Sequence, residues 1–255
     1  MILGVTGLWL GYEVWASAIY SQVMGTLVKG IQVTVAVTLV AYASACALGL
    51  SLAVAGLSRY VVLRQAARVW IEVIRGVPIM VLLLYVAFVI SPALVFAWNW
   101  VASWLGATPI TSRDFPLIAR AVLALTLAYS AFLAEIFRAG LQAVDKGQIE
   151  AAATLGLSYW QTQRKIVLPQ ALRISIPNIV GIFIGLFKDT TLVLVVSIYD
   201  FLGIINAGLQ DSKWAAPQTA NTGYFVAAIV YFIFCYGMSR YALFTERRLA
   251  ESGRR

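Results

Sequence analysis

Lys188 and Asp189 stand side by side in the run I-S-I-P-N-I-V-G-I-F-I-G-L-F-K-D-T-T-L-V-L-V-V, residues 174–196, which carries no other charge. An ionisable side chain at mid-bilayer costs roughly 2.5 to 3.5 kcal/mol on insertion scales unless it is paired or faces a cavity, so such groups default to function. Neighbours on a helix point about 100° apart, and these two must meet different partners. Gly181, Gly185 and Asp189 follow at intervals of four, a narrow face that ends in a carboxylate. The chemistry on offer is recognition of a zwitterion. Asp189 suits an ammonium, Lys188 or freed backbone N–H groups suit a carboxylate, and Asn178, Thr190 and Thr191 complete the hydrogen bonds. Structural readings compete: Lys188 snorkels or pairs with Glu135, and Asp189 caps a break in its helix.

Two further pairs have helical spacing, Glu72 with Arg75 and Glu135 with Arg138. Each is either a helix-end ion pair or part of a gate. Other chemistries are missing from the sequence. It has no His, its Cys46 and Cys235 sit in apolar runs, and neither C-x-x-C nor H-E-x-x-H occurs, so no metal, redox or disulfide framework is expected. No G-x-x-x-x-G-K-[ST] phosphate loop occurs either, so any nucleotide chemistry belongs to another chain.

The elements that must position these groups follow from composition. The chain has 255 residues, 61% of them hydrophobic and 12% charged, with a mean hydropathy of +0.85. That is the balance of a membrane protein rather than a soluble domain, and apolar runs of helical span length make it an all-α membrane protein. The net charge of +8 then marks loops and anionic lipid, not nucleic acid. Five spans are expected, at about 26–57, 70–90, 115–141, 174–196 and 224–244. Residues 1–21, with Trp9, Tyr12, Glu13 and Trp15, read as an interfacial segment or the remnant of an earlier span. They do not read as a cleaved signal, since no basic residue precedes the apolar part. Residues 22–248 form the transmembrane domain and 249–255 a basic tail.

In span two, Gly76-Val77-Pro78 loosens the first turn. The connector 91–114, with Pro92, Trp98, Trp100, Trp104 and Pro109, reads as a turn-rich loop in an aromatic belt. In span three, Ala124, Ala128, Ala131, Glu135 and Arg138 form one stripe on which another helix could pack closely. Residues 197–223 read as a short helix plus a loop. Basic residues concentrate in connectors 58–69 and 138–173 and after 240, whereas 91–114 and 197–223 have one each, Arg113 and Lys213. The positive-inside rule puts the basic connectors and the C-terminus in the cytoplasm and the N-terminus outside.

Residues 150–169, E-A-A-A-T-L-G-L-S-Y-W-Q-T-Q-R-K-I-V-L-P, are the one markedly polar interruption between spans. Glu150 before three alanines suits a helix start. Gly156 offers a stop, and Pro169 marks where a helix returning to the membrane can begin.

The order Glu150-Ala151-Ala152, Gly156, Ile166 and Leu168-Pro169 resembles the E-A-A signature of permease subunits of bacterial ABC importers. The segments at 134–152, 168–173 and 185–193, with I-R-G-V-P-I-M-V-L-L-L-Y at 74–85, are similar to the polar amino-acid branch. K-D-T-T-L-V-L-V-V before Y-D-F-L-G-I looks most like the M-type permease of general L-amino-acid importers. Val144-Asp145 departs from the branch, which usually has Ile-Pro there. The resemblance implies a type I importer permease in the bacterial inner membrane. Its loop 147–169 would dock a coupling helix on a separate ATP-binding cassette ATPase through Gly147, Glu150, Ala151, Ala152, Gly156, Leu157 and Pro169. The small residues would give a surface for close approach. ATP and Mg would bind that partner, so this chain is not by itself an enzyme. A second permease subunit, identical or not, and an extracytoplasmic amino-acid-binding protein complete the implied assembly. The rival is an ATP-independent channel or ion-coupled carrier for small polar solutes, against which stand the missing pore filter and matched halves.

Overall fold

The computed structural model describes residues 18–210 and 217–252. Its helices are α1 (Ala18–Gly56), α2 (Val61–Gly76), α3 (Ile79–Leu105), α4 (Leu117–Gln142), α5 (Lys146–Thr154), α6 (Tyr159–Val196), α7 (Phe201–Gln210) and α8 (Pro217–Ser252). Five are long and apolar enough to cross a membrane: α1 over Gly25–Gly56, α3, α4, α6, and α8 over Gly223–Arg248. The expectations for residues 1–17, for the loop at 211–216 and for the end of the tail at 253–255 lie outside the described residues.

α4 is the hub. Ala121, Ala124, Ala128, Ala131 and Ala134 are all buried, and α1 answers with Ala41, Ala45 and Ala53. A methyl group on Gly49 would come within 2.9 Å of the Ser130 carbonyl, so the α1–α4 crossing depends on bare backbone there. Gly140 does the same where α4 crosses α6: a methyl group would overlap Ser175 Oγ. α8 packs on α6 and α7 and leaves most of its surface uncovered.

The stretch read as span two is two helices. α2 buries Ala67, Ile71 and Ile74 on one face and leaves Arg68, Glu72 and Arg75 exposed, the pattern of an amphipathic helix and not of a span. It ends because Val77, held extended by the proline after it, cannot continue the helix, and Pro78 opens α3. The spanning segment therefore runs on to Leu105, and residues 91–105 with their tryptophans are helix, not connector.

Pro92 fails to break α3 because a π-turn, Val86–Ile90, precedes it. The Val86 carbonyl takes both the N–H of Ser91 and its hydroxyl, the latter at 2.7 Å, which widens the helix ahead of the proline ring. The same device recurs in α6. A π-turn at Gln163–Val167 carries the helix through Pro169. So Pro169 lies inside a helix that has already begun at Tyr159, not at the start of a span near Ile174.

Candidate functional site

The polar loop is built from two terminators back to back. Asp145, standing where the importer branch usually has proline, is the N-cap of α5: its carboxylate accepts from the Gly147 N–H at 2.8 Å. A methyl group on Gly147 would sit 3.3 Å from that oxygen, so glycine leaves the cap room. Glu150 is consequently mid-helix, not at its start, which corrects the expected first turn.

α5 ends at Gly156, whose φ of +71° is accessible at little cost only to glycine. The Leu157 N–H donates to Ala152 O at 3.1 Å and the Gly156 N–H to Ala153 O at 3.0 Å, the paired bonds of a Schellman stop. Ser158 then opens α6 with a reciprocal box: Gln161 N–H donates to Ser158 Oγ, and the Ser158 N–H to Gln161 Oε1. S-x-x-Q was a legible signal for that start.

The residues expected to act together here do not share one surface. Glu150, Ala151 and Gly156 are exposed, Leu157 is half-buried, and Ala152 is buried against the protein, so its smallness serves internal packing. What the loop presents outward is Leu155, 79% exposed, with Tyr159 and Trp160 at 69% and 77%. Sequence reasoning missed all three, because the signature draws attention to the small residues. A bond from Gln170 Nε2 to Gln148 Oε1 at 2.7 Å ties α5 to α6.

Asp189 lies where α6 changes from α-helix to the 3-10 turns Thr190–Val196. Its side chain caps nothing. Instead Oδ2 accepts a hydrogen bond of 2.6 Å from the buried hydroxyl of Tyr129 on α4. Lys188 is exposed and forms no ion pair with Asp189. It does not pair with Glu135, which is bound to Arg138 at 2.6 Å.

Asn178 is exposed, and Thr191 is half-buried with its hydroxyl donating to Lys188 O. Thr190 is fully buried, donates to Phe187 O and faces Tyr231, which removes it from the set expected to line a path. Gly185 approaches Tyr129, while a methyl group on Gly181 would meet nothing within 4 Å.

The two ion-pair candidates part company. Glu72 and Arg75 are not joined; among the described residues the salt bridge is Arg138–Glu135, and Arg138 also donates to Gln142 Oε1 at 2.8 Å. Arg75 sits over the ring of Phe132, 5.8 Å from its centroid, close enough to Glu135 to act on it electrostatically. Along α4, then, Tyr129, Phe132, Glu135 and Arg138 form a line from Asp189 of α6 to Arg75 of α2.

Residues 45–251 match the family described as "Binding-protein-dependent transport system inner membrane component". The glutamate/glutamine/aspartate/asparagine transport system permease protein BztC of Rhodobacter capsulatus is 41% identical over 81% of this chain and 44% of its own length. The inner membrane amino-acid ABC transporter permease protein YhdY of Escherichia coli K12 is 37% identical over 86% of this chain and 55% of its own. The chain thus spans about half the length of these two relatives. The glutamate/aspartate import permease protein GltK of Escherichia coli O157:H7 is 30% identical over 92% of this chain and 98% of its own. The crystal structure of an amino acid ABC transporter with histidines matches with a TM-score of 0.71 at 28% identity, over 89% of this chain and 96% of that one. Five apolar helices, the E-A-A loop between the third and fourth of them and these likenesses agree, and the chain belongs to the family of binding-protein-dependent transport system inner membrane components.

Proposed function

We propose that this chain is the permease subunit of an ATP-driven amino-acid importer in a bacterial inner membrane, with its C-terminus and α5 loop in the cytoplasm. The observation that carries the reading is the loop itself. Asp145, Gly156 and Ser158 fix its shape with local hydrogen bonds, and its apex shows Leu155, Tyr159 and Trp160 to the surroundings. A rigid loop with an exposed apolar tip, attached directly to α4 and α6, is suited to seat in a groove of an ABC ATPase and pass on its motion.

In this reading ATP and Mg bind the partner ATPase, and a second permease subunit completes the path. The binding protein delivers a polar amino acid on the opposite side. The substrate meets the path at Asp189, the carboxylate in the apolar run, whose charge suits the ammonium common to amino acids. The relatives named for glutamate, glutamine, aspartate and asparagine point to that class of cargo.

The test is co-purification with an ABC ATPase and measurement of ATP hydrolysis stimulated by binding protein and amino acids. Gly156→Val forces a β-branched residue to a φ of +71°, a strain of about 1–2 kcal/mol or more. The expected result is an intact membrane subunit that no longer retains the ATPase and takes up no substrate. Normal retention and normal uptake would overturn the docking assignment.

A further inference from the structure

The reading of Asp189 as the ammonium site leaves open what holds that carboxylate in place. Tyr129 answers the geometry. Its hydroxyl lies 2.6 Å from Asp189 Oδ2, the ordinary length of a hydroxyl bond to a charged acceptor. The ring is 4% exposed and is braced on one side by Phe132, with centroids 6.0 Å apart, and on the other by the bare backbone of Gly185, beside which a methyl group would lie 3.5 Å from the hydroxyl. The donor is thus pre-positioned by packing and does not depend on Asp189 for its orientation.

The kind of partner matters as much as the distance. An arginine or lysine at that place would cancel the carboxylate's charge, and the pair would have nothing to offer a cation. A phenol is a neutral donor: it occupies one oxygen and fixes the plane of the carboxylate, yet leaves the formal charge uncompensated. Among the described residues no second donor reaches Asp189 and no basic side chain forms an ion pair with it. The nearest cation in sequence, Lys188, is exposed and forms no ion pair with it. One oxygen held and one oxygen free, with net negative charge, is an acceptor prepared for an ammonium.

We propose that Tyr129 is a positioning residue for substrate recognition, acting through Asp189 to orient the free oxygen towards the substrate ammonium. The proposal rests on the assignment of Asp189 to the path. Tyr129 itself touches no substrate; its ring packs between α4 and α6, and its effect passes through the one hydrogen bond.

The experiment uses the assembled importer in proteoliposomes, with a panel of radiolabelled glutamate, glutamine, alanine and arginine delivered by saturated binding protein. The variants are Tyr129→Phe, Asp189→Asn and the two combined. Tyr129→Phe keeps the ring and its packing, so assembly with the ATPase should be unchanged. The concentration of loaded binding protein for half-maximal uptake should rise roughly tenfold for the best substrate, the scale of one hydrogen bond to a charged group, with maximal rate altered less than about twofold. The combined variant should be no worse than Asp189→Asn alone, since the charge that Tyr129 orients is already gone.

An unchanged half-maximal concentration in Tyr129→Phe, alongside a strong defect in Asp189→Asn, overturns the proposal and leaves the Asp189 assignment standing. An additive loss in the combined variant also overturns it, because Tyr129 would then act independently. No defect in Asp189→Asn removes the assignment on which the proposal rests. A drop in thermal stability of Tyr129→Phe with unchanged substrate dependence identifies a packing residue and likewise refutes the proposal.

Discussion

Asp189 and Asp200 are two carboxylates in one apolar stretch, each bound by a tyrosine, and they are built for opposite ends. Asp200 is completely buried. Its Oδ1 accepts from the Gly203 N–H at 2.8 Å, capping the first turn of α7, and its Oδ2 accepts from the Tyr231 hydroxyl of α8 at 3.3 Å. Beside it the Phe201 N–H donates to Thr34 Oγ1 of α1 at 3.0 Å, and Gly30 lets α7 approach to where a methyl group would be 2.9 Å from Phe201 Cα. Every oxygen has a donor, and three helices meet there. Asp189 is only half-buried, has one oxygen held, and caps nothing. A fully satisfied buried carboxylate is a fastening; a half-satisfied one at a helix irregularity is an acceptor in waiting.

Removing the fastening carries the largest expected effect. Asp200→Ala strands the Gly203 N–H away from water, loses the cap and takes one of its partners from the Tyr231 hydroxyl. The sum is about 3 kcal/mol, from roughly 1 for a cap and 1–3 for an unsatisfied buried group. Thermal unfolding of the purified subunit, followed by dye labelling of the free thiols Cys46 and Cys235, should begin at markedly lower temperature. Asp200→Asn, which retains an acceptor for Gly203, should recover most of the loss. If Asp200→Ala instead unfolds normally and abolishes uptake, the two carboxylates do the same job and the contrast is wrong.

Asp189→Asn should show the reverse pattern. The amide oxygen still accepts from Tyr129, so stability should move by less than about 1 kcal/mol, while uptake by the assembled importer falls at least about tenfold for want of the charge. Flux and unfolding measured on the same preparation separate the outcomes. Unaltered affinity and rate would remove Asp189 from the path.

These contrasts were only partly open to a reader of the sequence. Asp189 was conspicuous because charges inside an apolar run are rare. Asp200 was not, since it begins a segment whose glycines and polar residues read as irregular, and its burial depends on Thr34 and Tyr231, far away in the chain. Tyr129 carried no local signal at all; a tyrosine on a helix says nothing about what crosses it. The class, the number of spans and the position of the polar loop follow from hydropathy and from the signature, properties that accumulate along the chain. What escaped was where helices continue. Pro92 and Pro169 argue for breaks by local rules, and the π-turns that carry the helix past them are invisible to those rules. The amphipathic α2 was fused with α3 because Trp70–Arg75 has enough apolar residues to extend a hydropathy window.

A third carboxylate, Asp114, sharpens the comparison from the solvent side, with the smallest effect. It is exposed, yet meets the same kinds of donor as Asp200: the backbone N–H of Thr111 at 2.7 Å and the Thr111 hydroxyl at 2.9 Å, both on Oδ2. The backbone bond first, and then the hydroxyl, hold its carboxyl below the usual 3.8. A carboxylate with a lowered folded pKa stabilises the loop fully above its unfolded value, and the contribution is lost as pH falls through the folded one. The loop at 106–116 should therefore loosen only below about pH 4. The Thr111 amide, compared between wild type and Asp114→Asn, provides the measurement: its extra protection from hydrogen exchange should be present at pH 5, fade towards pH 3, and be absent at both pH values in the variant. Protection that persists at pH 3 would mean that the Asn99 clamp on Ile110, with bonds of 2.8 Å in both directions, holds the loop without Asp114. Water would then have removed the value of the same donors that make Asp200 a fastening in the apolar interior.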